Sequence, residues 1–393
     1  MRLHKIYTGP AFFSHGFRPL FLLTGSFAAV IVPLWMAVWT GRVTLAGPFG
    51  PIDWHIHELL FGYTSAVVAG FLFTAIPNWT GRMPTRGWPL MALAALWMVG
   101  RLAVAGFLGL GPMAIMALDC AFLLVIGAMV TVEIVVGRNW SNLRVVVPVL
   151  LYLAANSIFH LEAMQVGTAE YGRRLGFAML VLLIGLIGGR IIPSFTRNWL
   201  AKNGAGQMPA PFGRYDAASL VITLGALLLW VSFPEERLTG IALVLAGVVQ
   251  ALRLARWRGW RVWRSALLLM LHLAYAFIPA GLLGLGLAVL GILPVAIALH
   301  LLGIGAIGGM TLAVMMRASL GHTGRDLQAG PALTLAFGCV ALAAVVRVAV
   351  PTEPGLWVAA TLWTCGFAMF VARLAPALTL PSRARRAPNP QPR

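Results

Sequence analysis

The feature that restricts this chain most is an apolar run of roughly twenty residues that recurs along nearly its whole length, broken only by short turns holding Gly, Pro or a charge. Wound as a helix at about 1.5 Å per residue, such a run crosses a bilayer core of about 30 Å. The runs fall at 18–41, 53–77, 88–108, 112–136, 143–166, 172–193, 214–233, 238–256, 264–289, 292–317, 331–350 and 355–375. No stretch alternates with a period of two, and in hydrocarbon only helices or closed barrels satisfy their own backbone. The expected fold class is therefore an all-α membrane protein, a polytopic bundle of about twelve transmembrane helices. With 60% hydrophobic and 10% charged residues, the chain also lacks the polar surface a soluble globule needs.

A net charge of +18 would point to nucleic acid in a soluble protein. Here Lys and Arg sit in short loops between apolar runs, where their role is orientation, and the partner they imply is the lipid bilayer, with no nucleic acid. Of 29 Lys and Arg, 22 fall on the side of the termini and five on the other, with Arg101 and Arg190 inside helices. Both termini are thus expected in the cytoplasm. The richest loop, with Arg253, Arg256, Arg258, Arg261 and Arg264 among Trp257, Trp260 and Trp263, reads as a positive interfacial anchor. Residues 1–17 read as an interfacial segment, 18–375 as the twelve-helix membrane domain and 376–393 as a basic disordered tail. No removable leader is expected, because the first apolar run starts only after Arg18 and lacks a small-residue cleavage site. Cys120, Cys339 and Cys365 stand singly in apolar runs, which argues against a disulfide, an iron–sulfur site or covalently attached haem.

Chemistry crowds at the start of the second run, Asp53-Trp54-His55-Ile56-His57-Glu58. Ionisable groups at the edge of a bilayer core are costly, so two histidines and two carboxylates within six positions suggest a metal or haem. His55, His57, His160 and His300 all fall in the outer layer, which favours a shared site there. Residues two apart on a helix point about 200° from each other, so His55 and His57 cannot both face one point. The deeper His57, paired with His300 across the bundle, is the leading axial pair for a haem b, with His55 in support; Glu58, Asp53 or Trp54 is placed to orient a ring N–H or meet a propionate. Arg101 and Asp119 either pair with each other or leave Arg101 for a haem propionate. Asn156 and His160 share a helix face that suits a second metal or a hydrogen-bond relay, with Glu162 on the same helix. For copper, imidazole nitrogens must converge. Either His160 joins His55, or His15, His272 and His322 meet on the cytoplasmic side; the three-histidine set is slightly preferred. Arg18, Asn78, Arg82, Arg190, Arg197 and Arg325 recur beside Gly, Thr or Asn on that side and suggest an inner polar pocket.

Five motifs, Phe12-Phe13-Ser14-His15-Gly16-Phe17-Arg18-Pro19, Trp54-His55-Ile56-His57-Glu58, Asn78-Trp79-Thr80-Gly81-Arg82, Gly189-Arg190-Ile191-Ile192-Pro193-Ser194-Phe195-Thr196-Arg197-Asn198 and Gly321-His322-Thr323-Gly324-Arg325, together resemble the NnrS family in order and over nearly the whole chain. The resemblance implies a bacterial inner-membrane protein containing haem and copper, linked to nitric oxide metabolism, nitrosative stress and denitrification, with nitric oxide or a related small molecule as its partner. It does not supply the ligands. Twelve helices with histidines on the second and tenth also look like the catalytic subunit of haem–copper oxidases and nitric oxide reductases. The likeness fails at that superfamily's binuclear centre, because the sixth and seventh runs here hold no histidine. A different class, a transporter or channel for a metal, haem or nitrosyl species along a histidine-lined path, is the alternative. The charge asymmetry yields the first prediction: alkaline phosphatase fused after Gly47 is active and fused after Thr85 inactive, and the opposite pattern would invert every depth assigned above.

Overall fold

The computed structural model describes residues 7–204 and 206–382. His4 and Lys5 of the expected interfacial segment, and Arg383, Arg385 and Arg386 of the expected tail, lie outside the described residues. Among the described residues there is no strand. The long helices are α1 (Phe17–Trp39), α2 (Pro51–Thr80), α3 (Trp88–Val104), α4 (Pro112–Val136), α5 (Val146–Val166), α6 (Tyr171–Asn203), α7 (Arg214–Ser232), α8 (Arg237–Ala255), α9 (Ala266–Val289), α10 (Val295–His322), α11 (Gly330–Ala349) and α12 (Glu353–Thr379). Eleven are long and apolar enough to cross a membrane, and α3 is the shorter one. Most consecutive helices pack on each other, while α1 closes the bundle by packing on α12 and α9 lies against α6, α8 and α10.

α12 runs on to Thr379, so the first four residues of the expected tail are helical, and three further helix ends differ from the sequence expectation for a local reason. The third stops at Val104 because Gly106 turns the chain with φ of 84° and the loop at Ala46 and Gly47 lies directly on that turn. The sixth continues past Pro193 to Asn203, shortening the expected loop at 194–213. Proline costs one backbone bond, but a bundle supplies other partners, and here Thr196 and Leu200 go on packing inward. The tenth runs on to His322, which therefore ends a helix and is not a loop residue.

Both described ends lie on one face, and Arg18 holds them together. This buried guanidinium donates to the carbonyls of Ala377, Leu378 and Leu380 at 3.2, 3.1 and 2.7 Å, and to Ser382 Oγ at 2.8 Å. Those are the orphan acceptors of the last turn of α12, and a cation suits that end of a helix.

Arg253 corrects the reading of its loop as a uniform anchor. It lies in the last turn of α8, is fully buried, and donates from Nε to Asp216 Oδ1 at 2.9 Å and from Nη1 to the Gly185 carbonyl at 2.8 Å and Tyr275 Oη at 3.0 Å. Tyr275 passes the chain on to Gln250 and Gln250 to Thr223, each at 2.8 Å. Removing one partner of such a pair leaves an uncompensated charge in hydrocarbon, a loss of about 3–5 kcal/mol. Asp216→Ala is accordingly expected to lower the unfolding midpoint sharply in detergent, and Asp216→Leu combined with Arg253→Met to recover most of it; thermal denaturation of the purified variants checks both.

Candidate buried metal centre

The first seven positions of α2 are wound as α-helix, and the helix then widens into a π-turn over Glu58–Tyr63. An inserted π-turn leaves carbonyls without their usual partners and is frequent at functional sites. Neighbouring side chains take them up. Trp97 Nε1 donates to the Gly62 carbonyl at 2.9 Å, Tyr152 Oη donates to that of Leu60, and Thr64 Oγ1 to that of Leu59 at 2.8 Å. The distortion is thus built into the packing of α2 against α3 and α5, and it sets the direction of His57 and Glu58.

Around His57 six polar side chains from four helices meet, all nearly inaccessible: His57 and Glu58 from α2, Arg101 from α3, Asp119 from α4, Asn156 and His160 from α5. Arg101 Nη1 donates to Glu58 Oε1 at 2.5 Å, and Nη2 pairs with Asp119 Oδ1. Arg101 therefore pairs with Asp119, as one of the two sequence readings has it, and also binds a second carboxylate. Gly62 makes room for the fork, since a Cβ there would strike Arg101 Nη1. With Oδ1 held by Arg101, Asp119 turns Oδ2 toward His57 Nε2 and His160 Nε2, each 3.1 Å away, and accepts from Asn156 Nδ2 at 2.7 Å. His57 Nδ1 lies 3.1 Å from Glu58 Oε1, and Nε2 also lies 3.0 Å from Asn156 Oδ1. Phe49, Phe61 and Phe159 wall the cluster with rings 4.7–5.5 Å from His57.

Charge counting shows what this arrangement asks for. Two carboxylates face one guanidinium, so with neutral imidazoles the group carries one uncompensated negative charge in a low-dielectric interior. If His57 donates Nδ1–H to Glu58, its Nε2 lone pair points at Asp119 Oδ2, and the two repel unless a cation lies between them. A proton meets the demand, and so does a metal ion. One ligand atom each from His57, Asp119 and His160 lies within 4.8 Å of the others, the spread a metal with bonds of about 2 Å can gather.

His55 belongs to a different place. It points away from His57, onto the Trp35 ring of α1 with centroids 4.2 Å apart, and has His300 of α10 and Arg347 of α11 as electrostatic neighbours. His300 donates Nδ1–H to the Ala296 carbonyl at 2.6 Å, which fixes the tautomer and leaves Nε2 as a free acceptor. A second π-turn, Leu301–Gly308, follows it directly, as one follows His57. His55 Nδ1, Trp35 Nε1 and Arg347 Nε are buried without a hydrogen-bond partner. Such atoms cost about 1–3 kcal/mol each when left so, and their gathering on both sides of two imidazoles suits a bound polar or metal-bearing group.

The grouping of these histidines differs from the sequence expectation. His57 meets His160, with Nε2 held on the α4–α5 side and Nδ1 by Glu58, while His300 lies within electrostatic reach of His55. Arg101 spends Nη1 on Glu58 and Nη2 on Asp119 and keeps Nε buried without a partner. On the terminal face His15 and His322 flank the Phe17 ring at 5.9 and 5.6 Å, with Arg18, His322 and Arg86 as electrostatic neighbours of His15. His272 is engaged elsewhere, Nε2 against Thr196 Oγ1 at 2.9 Å, and among the described residues these three histidines form no common ligand group. The residues expected in an inner pocket act separately. Asn78 donates to the Thr74 carbonyl of its own helix, Arg82 pairs with Glu133 and Arg197 donates to the Pro209 carbonyl, while Arg190 is exposed and Arg325 lies within electrostatic reach of Arg18. Glu58 lies in the half of the bundle away from the termini, in the His57 cluster. Arg347, in the last turn of α11 and not singled out in the sequence, is the addition the structure makes.

Twelve apolar helices, eleven of them long enough to cross a membrane, around a buried His57, Asp119 and His160 group define a multi-pass helical membrane protein. The chain belongs to the NnrS family: the model of that family, described as NnrS protein, matches residues 11–382. The family is linked in general terms to the response to nitric oxide. No curated protein matches the chain in sequence.

Arg101 touches no ligand atom of the metal group yet aims Asp119, and groups in that position typically hold about 10–100-fold of metal affinity. Arg101→Gln is expected to weaken Cu(II) binding by that factor and His272→Ala to leave it unchanged, as read by competition with a chromophoric chelator.

Proposed function

We propose that this protein is a haem- and copper-binding component of the bacterial inner membrane that acts on or senses nitric oxide under nitrosative stress. The observation that carries the reading is the convergence of two imidazole nitrogens on one carboxylate oxygen in a buried cluster where one guanidinium faces two carboxylates. His57, His160 and Asp119 are the residues that would hold copper. Two nitrogens and one oxygen are donors that copper accepts, and the Phe wall keeps water away. His55 and His300 are the residues that would hold haem b, their fit resting on the free Nε2 of His300 and the unpartnered Nδ1 of His55. Such groups supply one-electron chemistry and a place for a diatomic ligand.

The chain's own residues do the rest. Arg101 neutralises Glu58 and one oxygen of Asp119, Glu58 orients His57 through Nδ1, and Asn156 steadies both Asp119 and His57. Arg347 places a positive charge beside His55 and His300, where an anionic substituent of a bound group can be met. Transport along a file of histidines draws less support, since the histidines gather at separate places and each has its own packing partners.

The assignments are tested by their separability. His55→Ala and His300→Ala are expected to abolish the low-spin haem spectrum or turn it high-spin, with copper retained. His57→Ala and His160→Ala are expected to lose copper, measured by elemental analysis, with the haem spectrum kept. Loss of haem in His57→Ala with retention in His55→Ala would return the axial role to His57.

A further inference from the structure

Between the surface and His55 lies an aromatic stack that neither site needs for ligation. Trp39 ends α1 on the face opposite the termini and is 51% exposed. Trp35, one turn earlier and hence on the same helix face, lies against it with ring centroids 5.8 Å apart and planes 26° apart. Trp35 also meets His55 at 4.2 Å and 31°. Three rings therefore run from the protein surface to the imidazole in successive contact.

An interfacial tryptophan ordinarily packs its ring in the apolar layer and turns its N–H to the headgroups. Trp39 is free to do so. Trp35 is 9% exposed and its Nε1 is buried with no partner, so this ring is held by its faces rather than by its polar edge. A phenylalanine or leucine would fill the volume without that cost. What an indole adds between two other rings is an extended π-system. The His57 and His160 centre differs, being enclosed by Phe49, Phe61 and Phe159.

We propose that Trp39 and Trp35 form the electron inlet to the group held by His55 and His300, and that a soluble one-electron donor meets the protein at Trp39. This rests on the assignment of His55 and His300 as ligands of a redox-active group. The donor gives up one electron and the metal ion beyond His55 gains it. The indoles mediate without being oxidised, no bond forms or breaks, and no proton is required to move. A one-electron carrier is indicated because ring stacking passes electrons and offers no route for hydride.

The test uses the full chain with its bound groups, purified into nanodiscs and reduced without oxygen by hexaammineruthenium(II), with the haem bands followed by stopped flow. Trp39→Leu, a change at a half-exposed position, is expected to leave the resting spectrum unaltered and slow reduction by an order of magnitude or more. Trp39→Phe, which keeps a ring, should restore most of the rate. Trp357→Leu, at another exposed tryptophan near the same face, should change nothing. A fully loaded Trp39→Leu variant reduced as fast as the parent overturns the inlet while leaving the ligand assignment standing. A parent protein with no low-spin haem band overturns the assignment and removes the terminus of the inlet with it, so the two failures are distinct.

Discussion

The half of this bundle away from the termini is organised around a charge imbalance. Glu58 and Asp119 share the single guanidinium of Arg101 in an interior that water does not reach, and the remaining negative charge has to be met by a cation. Every nearby feature serves that arrangement. Gly62 has no side chain because the guanidinium occupies the space, the π-turn of α2 aims Glu58, and α4 and α5 approach closely enough for Asp119 to meet both His160 and Asn156. A hydrophobic core of equal volume would be simpler to keep. The persistence of six polar groups there is what separates a site from packing.

Much of this could be read in the residues, and the part that could not has a physical cause. Helix number and span follow from the thickness of hydrocarbon and the length of apolar runs, so all twelve helices are recovered. The opposed directions of His55 and His57 follow from helical pitch alone. Which partner each histidine meets depends on the lateral order of helices around α2, and no local pattern encodes that order. Arg253 shows the same limit. Beside Arg256, Arg258 and three tryptophans it reads as a surface anchor, while its counter-charge, Asp216, lies 37 positions earlier across the α7–α8 hairpin.

The π-turns join the two sites through the backbone. One follows His57 on α2 and the other follows His300 on α10, and where the second ends, Thr311 meets Tyr63 of the first at 2.7 Å. A single hydrogen bond between buried side chains thus ties together two helices whose geometry depends on an extra residue per turn. Because His55 and His57 lie on one turn of α2, any shift of that helix alters both places at once, and neither can be adjusted alone.

The grip of Arg18 on the end of α12 bears on how the molecule is made. Ribosomes deliver α1 to the membrane first, yet the carbonyls that satisfy its guanidinium arrive some 360 positions later. For the whole of synthesis this cation has to wait near the surface, reaching toward headgroups or held by the insertion machinery. Only the arrival of α12 lets it turn inward. Insertion of α12 is therefore chemically marked, because a nascent protein lacking that helix keeps an unpaired arginine on α1.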